Sequence, residues 1–573
     1  MTASGQDPFD DLRPRDTASA AIKKPDSRAF SIRWAALYDV ATVVVLIALA
    51  VLAALTFRDY SISNDEWVQH QYGALILAYY RSGLTDLAVF HFDNLYLYGG
   101  LFDICAVLLS HAFPAIDAYD LRHLMCAFIG VGGVAATAAT ARLIAGPRAG
   151  LIAAVALAIC GSWYGGMFNH TKDIPLAATM MAACYFLVRA SRDLPAPRWK
   201  DVLGFGFFTG CALGIKVLGL LLIGYAGIIT LLSVPQPIFS DLRASAAFVV
   251  RSMLRFVPAF VLAYVMMIAA WPWSALAPLN PIRAIFSFAD FHYNIHTIFN
   301  GTIYDMAHVP VLYVPVYLLI KLPLINLFAA TFAIAAALIP FVARGLDWSA
   351  RRRREIGFIA FTIAYPLACQ VIGHGPAFTG MRHFFFVLPP IAVLAAIGLD
   401  AVVAWFGHHS RVLAVASFAS FAVVLGVNAD TLYRLHPYEY LVYNDFVGGL
   451  PGAADRYVTD YWVNSMNPAI DQLQSYLERT EGAGLPGNHK LYKVAVCGER
   501  YAFINHAKPY LLWWKNWAEA DFFISPTHMH CERDREGKVI VSIKRLGVPI
   551  AVVKDIRKPR KVPAVAAAES FLH

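Results

Sequence analysis

The sequence predicts an α-helical polytopic membrane protein with a C-terminal extracytoplasmic α/β domain, and three observations lead there. Of 573 residues, 58% are hydrophobic and only 15% are charged, against about 25% charged in an ordinary soluble chain. Mean hydropathy is +0.54. No water-soluble fold has interior enough for that much apolar surface, so lipid must solvate most of it. The third observation is that long apolar runs recur along the chain and stop near residue 429, where the composition becomes that of a small soluble unit.

Residues 1–35 are polar, with Pro14, Pro25 and no apolar periodicity, and read as a disordered cytoplasmic lead. Eleven spans follow, at 36–57, 118–141, 150–168, 174–190, 202–215, 217–233, 256–271, 311–343, 356–372, 384–406 and 411–429, two of them short for ~30 Å of hydrocarbon. They make a transmembrane domain over 36–429 with outer loops at 58–117 and 272–310. With the N-terminus inside, the inner connections hold 21 Lys and Arg, against Arg58, Arg81, Arg122, Lys172, Arg283 and Arg382 outside, with Lys216 in the short turn between the fifth and sixth spans. That bias fixes the orientation. The net charge of +8 thereby becomes mainly a topology signal, and nucleic acid is not needed to explain it.

An odd number of spans puts 430–573 outside. Segments 493–498, 521–525 and 538–543 read as strands and 467–480 as a helix, which gives a compact α/β unit. Six cysteines lie in apolar stretches without CxxC spacing and read as packing residues. Cys497 and Cys531 sit in the tail, where an oxidising compartment permits a pair. The Ala- and Arg-rich composition points to a bacterial inner membrane with the tail in the periplasm.

Charges at a membrane boundary are costly and therefore informative. Ser63 and Glu66 have capping-box spacing, which starts a helix after span one and leaves Asp65 as a candidate general base. In the turn between spans three and four, Asn169-His170-Thr171-Lys172-Asp173 holds a Lys-Asp pair on the same face. Thr171 could cap span four there. Arg122 and His123, Lys216, Lys321, and Arg382 with His383 add cations. Snorkelling explains Lys216 best; several cations converging with two aspartates suit a lipid phosphate.

The loop 272–310 carries Asp290, His292, Tyr293, His296 and His308. His292 and His296 have metal-ligand spacing, but no H-E-x-x-H is present and an amphipathic surface helix accounts for them. P-loop, GxGxxG and GxSxG motifs are absent, which removes support for ATP-driven transport, dinucleotide chemistry and hydrolase chemistry.

Asp65-Glu66 after span one, Asp173-Ile174-Pro175 after span three and Arg382-His383-Phe384 at a late span together resemble the GT-C membrane glycosyltransferases. Within them the likeness is to the protein O-mannosyltransferase and lipid A aminoarabinose transferase superfamily (family 39-like). Asn300-Gly301 through Tyr313-Val314-Pro315 to Lys321-Leu322-Pro323 also resembles the loop-to-span passage of that group. The likeness covers roughly 36–430. It implies an inverting transfer from a polyprenyl-phosphate-linked sugar to an acceptor lipid, glycan or protein at the outer face. Asp65 would be the general base and Asp173 its assistant. Glu66, His170, Lys172 and His383 would bind substrate, and Arg382, with Arg122 and Lys321, would hold the phosphate. The resemblance leaves a divalent metal, Mg or Mn, open. The tail is unlike the β-trefoil insertion of eukaryotic protein mannosyltransferases. Tyr438, Tyr440, Tyr461 and Trp462 either cover the site or pack at the interface.

The competing reading is a secondary transporter or a flippase of lipid-linked sugar. That function predicts inverted repeats and charges near the bilayer midplane, whereas no repeat is visible and the charges gather at one surface. A third reading is a scaffold that binds such a donor without turnover.

Overall fold

The structure is a computed structural model that describes residues 27–235, 241–289, 295–373 and 377–557. Its first half is helical: α1 (Ser27–Thr56), α2 (Glu66–Arg81), α3 (Leu101–Ala112), α4 (Ala118–Ala145), α5 (Pro147–Ala158), α6 (Gly161–Asn169), α7 (Asp173–Ser191), α8 (Trp199–Leu213), α9 (Leu221–Leu232) and α10 (Leu242–Ala270). After the short helix α11 (Pro272–Leu276), the amphipathic helix α12 (Asn280–Ala289) leads to a hairpin of β1 (His296–Phe299) and β2 (Thr302–Asp305). The bundle closes with α13 (Tyr313–Lys321), α14 (Leu324–Leu338), α15 (Ala350–Gly373), α16 (Leu388–His409) and α17 (Arg411–Leu435).

Among the described residues seven helices are long and apolar enough to cross a membrane, and nine if two bent pairs each count as one span. The bent pairs are α5 with α6, at 63°, and α13 with α14, at 114°. The two expected short spans correspond to α8 and α9, of 15 and 12 residues, which are too short to count by this measure, so seven to nine of the eleven expected spans are supported among the described residues. The chain is a multi-pass membrane protein. Two expectations need correction. Helix α1 begins at Ser27, so the irregular lead ends before residue 35, because Ala35 through Thr56 propagate a helix backward. His296 opens a strand, so helical i, i+4 spacing does not apply to it; Asp290, His292 and Tyr293 lie outside the described residues.

Close approach of small residues lets the bundle pack. A methyl at Gly398 of α16 would meet the backbone carbonyl of Ala329 on α14, and one at Gly206 of α8 would lie 2.6 Å from the Ala259 backbone on α10.

The tail continues with α18 (Gly449–Ala453), α19 (Met466–Glu481), β3 (Tyr492–Val496), α20 (Arg500–His506), β4 (Leu511–Trp513), β5 (Phe522–Pro526), β6 (Lys538–Arg545) and β7 (Val548–Asp555). The sheet has the order β4-β3-β5-β7-β6, parallel from β4 to β5 and antiparallel beyond. Helix α19 buries Ala469, Ile470, Leu473 and Leu477. Cys497 and Cys531 form a disulfide.

Tail and bundle are joined at one end. The backbone N–H of Ser61 donates to Asn464, whose amide reaches the Pro437 carbonyl at 2.6 Å. His436 hydrogen-bonds Glu439 at 2.6 Å and Asp59 at 3.0 Å.

Two outcomes follow. Gly398→Ala pushes α16 off α14 and lowers the thermal melting temperature of detergent-purified protein, at a cost of about 1–3 kcal/mol. The Glu439 hydrogen bond raises the His436 imidazole above its ordinary range. A raised folded-state value contributes stability that is full below the unfolded value near ~6.5 and is lost as pH climbs through the folded one. Melting temperature should therefore fall between about pH 6 and pH 8 more steeply in the native protein than in His436→Gln; parallel profiles would remove His436 from the account.

Candidate active site

The site grows from two helix starts. Ser63-x-x-Glu66 closes as a capping box: the Ser63 N–H donates to Glu66 Oε2 at 2.8 Å, which fixes the entry to α2 and leaves Asp65 at its mouth. Glu66 is fully buried and also meets His123 Nε2 at 3.0 Å. The second start is α7, where Asp173 occupies the first turn, in favourable relation to the helix dipole. Thr171 does not cap this helix; its hydroxyl bonds Gln69 at 2.5 Å instead.

These carboxylates meet cations drawn from distant segments. Arg382 donates from Nη2 to Asp65 Oδ2 at 2.7 Å, and its Nε lies 3.9 Å from Asp173 Oδ2. Lys216 pairs with the other oxygen of Asp173. The Lys172 ammonium turns away from its neighbour Asp173 and lies 3.2 Å from Asp103 Oδ2, while Arg122 donates to Asp103 Oδ1 at 2.9 Å. Lys216 is buried against Asp173 at the start of α7, so it does not snorkel. Lys172 and Asp173, adjacent in sequence, serve different partners.

Asp65, His170, Lys172, Asp173, Lys216, Arg382, His383 and Trp462 line one cavity of about 170 Å³, together with Gln69, Tyr98 and Phe378. Arg382 lies over the Trp462 ring at 4.8 Å and the Phe378 ring at 5.2 Å. His170 stacks on Phe385 at 4.6 Å and meets the edge of Trp462 at 4.4 Å. Burial pushes its imidazole below the ordinary range, so at neutral pH it adds no charge. Asp65 is the most open of the acidic groups, with 29% of its side chain exposed against 6% for Asp173.

A second cavity, of about 640 Å³, is lined mainly by apolar residues of the α9, α12 and α15 region, including Leu221, Tyr225, Ile285, Phe288, Phe361 and Phe384. Tyr98, Lys216, Phe378 and His383 stand in the walls of both cavities. The two cavities therefore share a wall, one apolar and one charged.

Three expected binding residues lie elsewhere. Glu66 and Arg122 belong to the buried network behind the wall. Lys321 donates to the Tyr440 carbonyl at 2.8 Å and lies 3.7 Å over the Tyr443 ring, which fastens the α13–α14 bend to the tail. Asp103 was not anticipated; a single carboxylate in the apolar run 101–109 was its signal. Among the described residues no group of three or more His, Cys, Asp or Glu is arranged to hold a metal ion. Asp65 and Asp173 are each held by cations, a donor set that does not fit Mg or Mn.

Residues 121–273 match the family model for dolichyl-phosphate-mannose-protein mannosyltransferase, which covers α4 through the start of α11 and includes Lys172, Asp173 and Lys216. Among solved structures, ArnT from Cupriavidus metallidurans bound to undecaprenyl phosphate aligns over 89% of this chain and 97% of its own, at 14% identity and a TM-score of 0.45. The oligosaccharyltransferase AglB from Archaeoglobus fulgidus, in complex with an inhibitory peptide and a dolichol-phosphate, aligns over 85% and 69%, at 13% identity and 0.45. The mycobacterial arabinofuranosyltransferase AftD aligns over 89% and 40%, at 12% identity and 0.41. No curated protein matches.

The Arg122–Asp103–Lys172 triad gives a clear expectation. Arg122→Met leaves Asp103 buried with one partner and costs about 3–5 kcal/mol in denaturation of the purified protein. Adding Asp103→Asn should restore part of the loss; a double variant no better than the single one would refute the pairing as the cause.

Proposed function

We propose that the chain is an inverting membrane glycosyltransferase that moves a sugar from a polyprenyl-phosphate donor to an acceptor hydroxyl of an envelope lipid, glycan or protein. One observation carries this reading: a charged cavity and a larger apolar one share a wall, which suits an amphiphile with an anionic head and a hydrocarbon tail. The mannosyltransferase family match across 121–273 supports it independently.

In this reading the tail lies along Leu221, Tyr225 and Phe361, and the phosphate reaches Lys216 and Arg382. Asp65, the most exposed carboxylate, accepts the proton of the acceptor hydroxyl as that oxygen attacks the anomeric carbon from the side opposite the phosphate. The carbon–oxygen bond to phosphate breaks and its electron pair stays on the phosphate oxygen. Developing charge there is met by preplaced cations in a site shielded from water. Asp173 orients Lys216 and Arg382 and assists at the pocket floor. His170, Lys172 and His383 shape the sugar subsite.

We assign the site to the outer face of a bacterial inner membrane, with the N-terminus cytoplasmic and the domain from residue 430 periplasmic. The Lys and Arg distribution supports this, and so does the tail disulfide.

Purified protein given a polyprenyl-phosphate sugar and acceptor should release polyprenyl phosphate. Asp65→Asn should lower that rate by about 10²–10⁴-fold, and an unchanged rate would sink the proposed role. Lys216→Met should raise KM for the donor; an unaltered KM would leave Lys216 a structural partner of Asp173.

A further inference from the structure

Among the described residues Arg382 is the one whose side chain pairs with both carboxylates of the charged cavity. Its Nη2 is spent on Asp65 at 2.7 Å, while its Nε and Nη1 are buried and have no hydrogen-bond partner among the described residues. Lys216 is committed to Asp173, and Lys172 to Asp103. Nε faces Asp173, so an anion that reaches the guanidinium finds Nη1, next to the nitrogen that holds Asp65, as the group still without a partner. The planar fork of arginine suits such double duty, because its five N–H groups address two acceptors at once, which a lysine ammonium does less well.

We propose that Arg382 is a shared counterion that couples the general base to the leaving group: Asp65 and the donor phosphate compete for one guanidinium charge. The inference rests on the donor reading given above. Before reaction, Asp65 carries a full negative charge and draws on Arg382. As the acceptor proton moves to Asp65, that charge disappears. In the same step the electron pair of the breaking carbon–oxygen bond adds a charge to the phosphate. Arg382 thus faces nearly constant negative charge throughout, with its partner changing from carboxylate to phosphate. Proton uptake and departure of the phosphate then favour one another, and neither is favoured alone. Asp173, 3.9 Å from Nε, holds the guanidinium in place during the exchange, and the rings of Trp462 and Phe378 fix its plane.

The test is a double-mutant cycle on binding of a short-chain polyprenyl phosphate to the full-length protein in detergent, measured by calorimetry, with inorganic phosphate as a head-only probe. Asp65→Asn removes the competitor and should bind polyprenyl phosphate about tenfold tighter than the native chain, although it no longer turns over. In an Arg382→Met background the same Asp65→Asn change should have no effect on affinity. Tightening that persists without Arg382 would mean that Asp65 merely repels the phosphate, and the shared-counterion proposal would fail. Unchanged affinity in Asp65→Asn alone would also overturn it, even if Arg382→Met does not fold; Arg382→Gln serves as the second background. Absence of polyprenyl phosphate binding by all of these proteins would defeat the donor reading itself, and this inference with it.

Discussion

A carboxylate buried in an apolar helix bundle must be neutralised by a cation, and Asp173 obliges the fold to supply one. Its partners come from far along the chain: Lys216 from the turn after α8, and Arg382 from the segment before α16. Lone charges in a low dielectric are so costly that these segments are held to the start of α7. Asp103 makes the same demand on Arg122 and Lys172. Two buried carboxylates therefore bind α3, α4, α7, α8 and α16 into one end of the bundle, and that end becomes the floor of the cavity.

Sequence made the carboxylates of the cavity legible, though not Asp103 behind it. Asp65 and Asp173 stand out because polar residues in and beside long apolar runs are expensive, and the capping box of Ser63 and Glu66 has a spacing that can be recognised. Arg382 and His383 stand out for the same reason. The cations were harder to read, since a lysine at a helix end either snorkels or pairs, and only the path of the chain decides. For Lys216 the turn after α8 tucks inward, so the ammonium meets Asp173. For Lys321 the 114° bend after α13 carries the ammonium to the Tyr440 carbonyl, away from the cavity. Gly214 and Pro323 mark that the chain breaks at these points, but neither fixes the direction in which it turns.

The strands show a similar limit. β3, β5 and β6 announced themselves by β-branched and aromatic runs. β4 has three residues and borrows its stability from β3, and β7 carries Pro549 near its start, which weakens the strand pattern. The signal for β7 was present in the hairpin turn: Leu546 and Gly547 both adopt positive φ, at 46° and 81°, as a tight two-residue connection requires.

The tail does more than sit outside the bundle, because it supplies the roof of the cavity. Trp462, which covers Arg382 and His170, is followed by Val463 at φ 53°, a backbone conformation that a β-branched residue adopts only when its surroundings enforce it. Asp460 provides that enforcement: its carboxylate accepts the N–H of Asn464 at 3.0 Å and of Ser465 at 2.9 Å, and the Tyr440 hydroxyl as well. Burial pushes the Asp460 carboxyl up and these hydrogen bonds oppose the shift. Val463 in turn lies so close to the backbone after β3 that a methyl on Gly498 would come within 2.7 Å of its Cγ1, so only glycine fits beside the disulfide at Cys497. A continuous chain of contacts thus runs from the sheet through Gly498, Val463 and Trp462 to the guanidinium of Arg382. The soluble domain and the charged cavity are built as a single unit: of the aromatic residues of 438–462, Trp462 and Tyr461 lie over Arg382, and Tyr440 supports them from behind through Asp460.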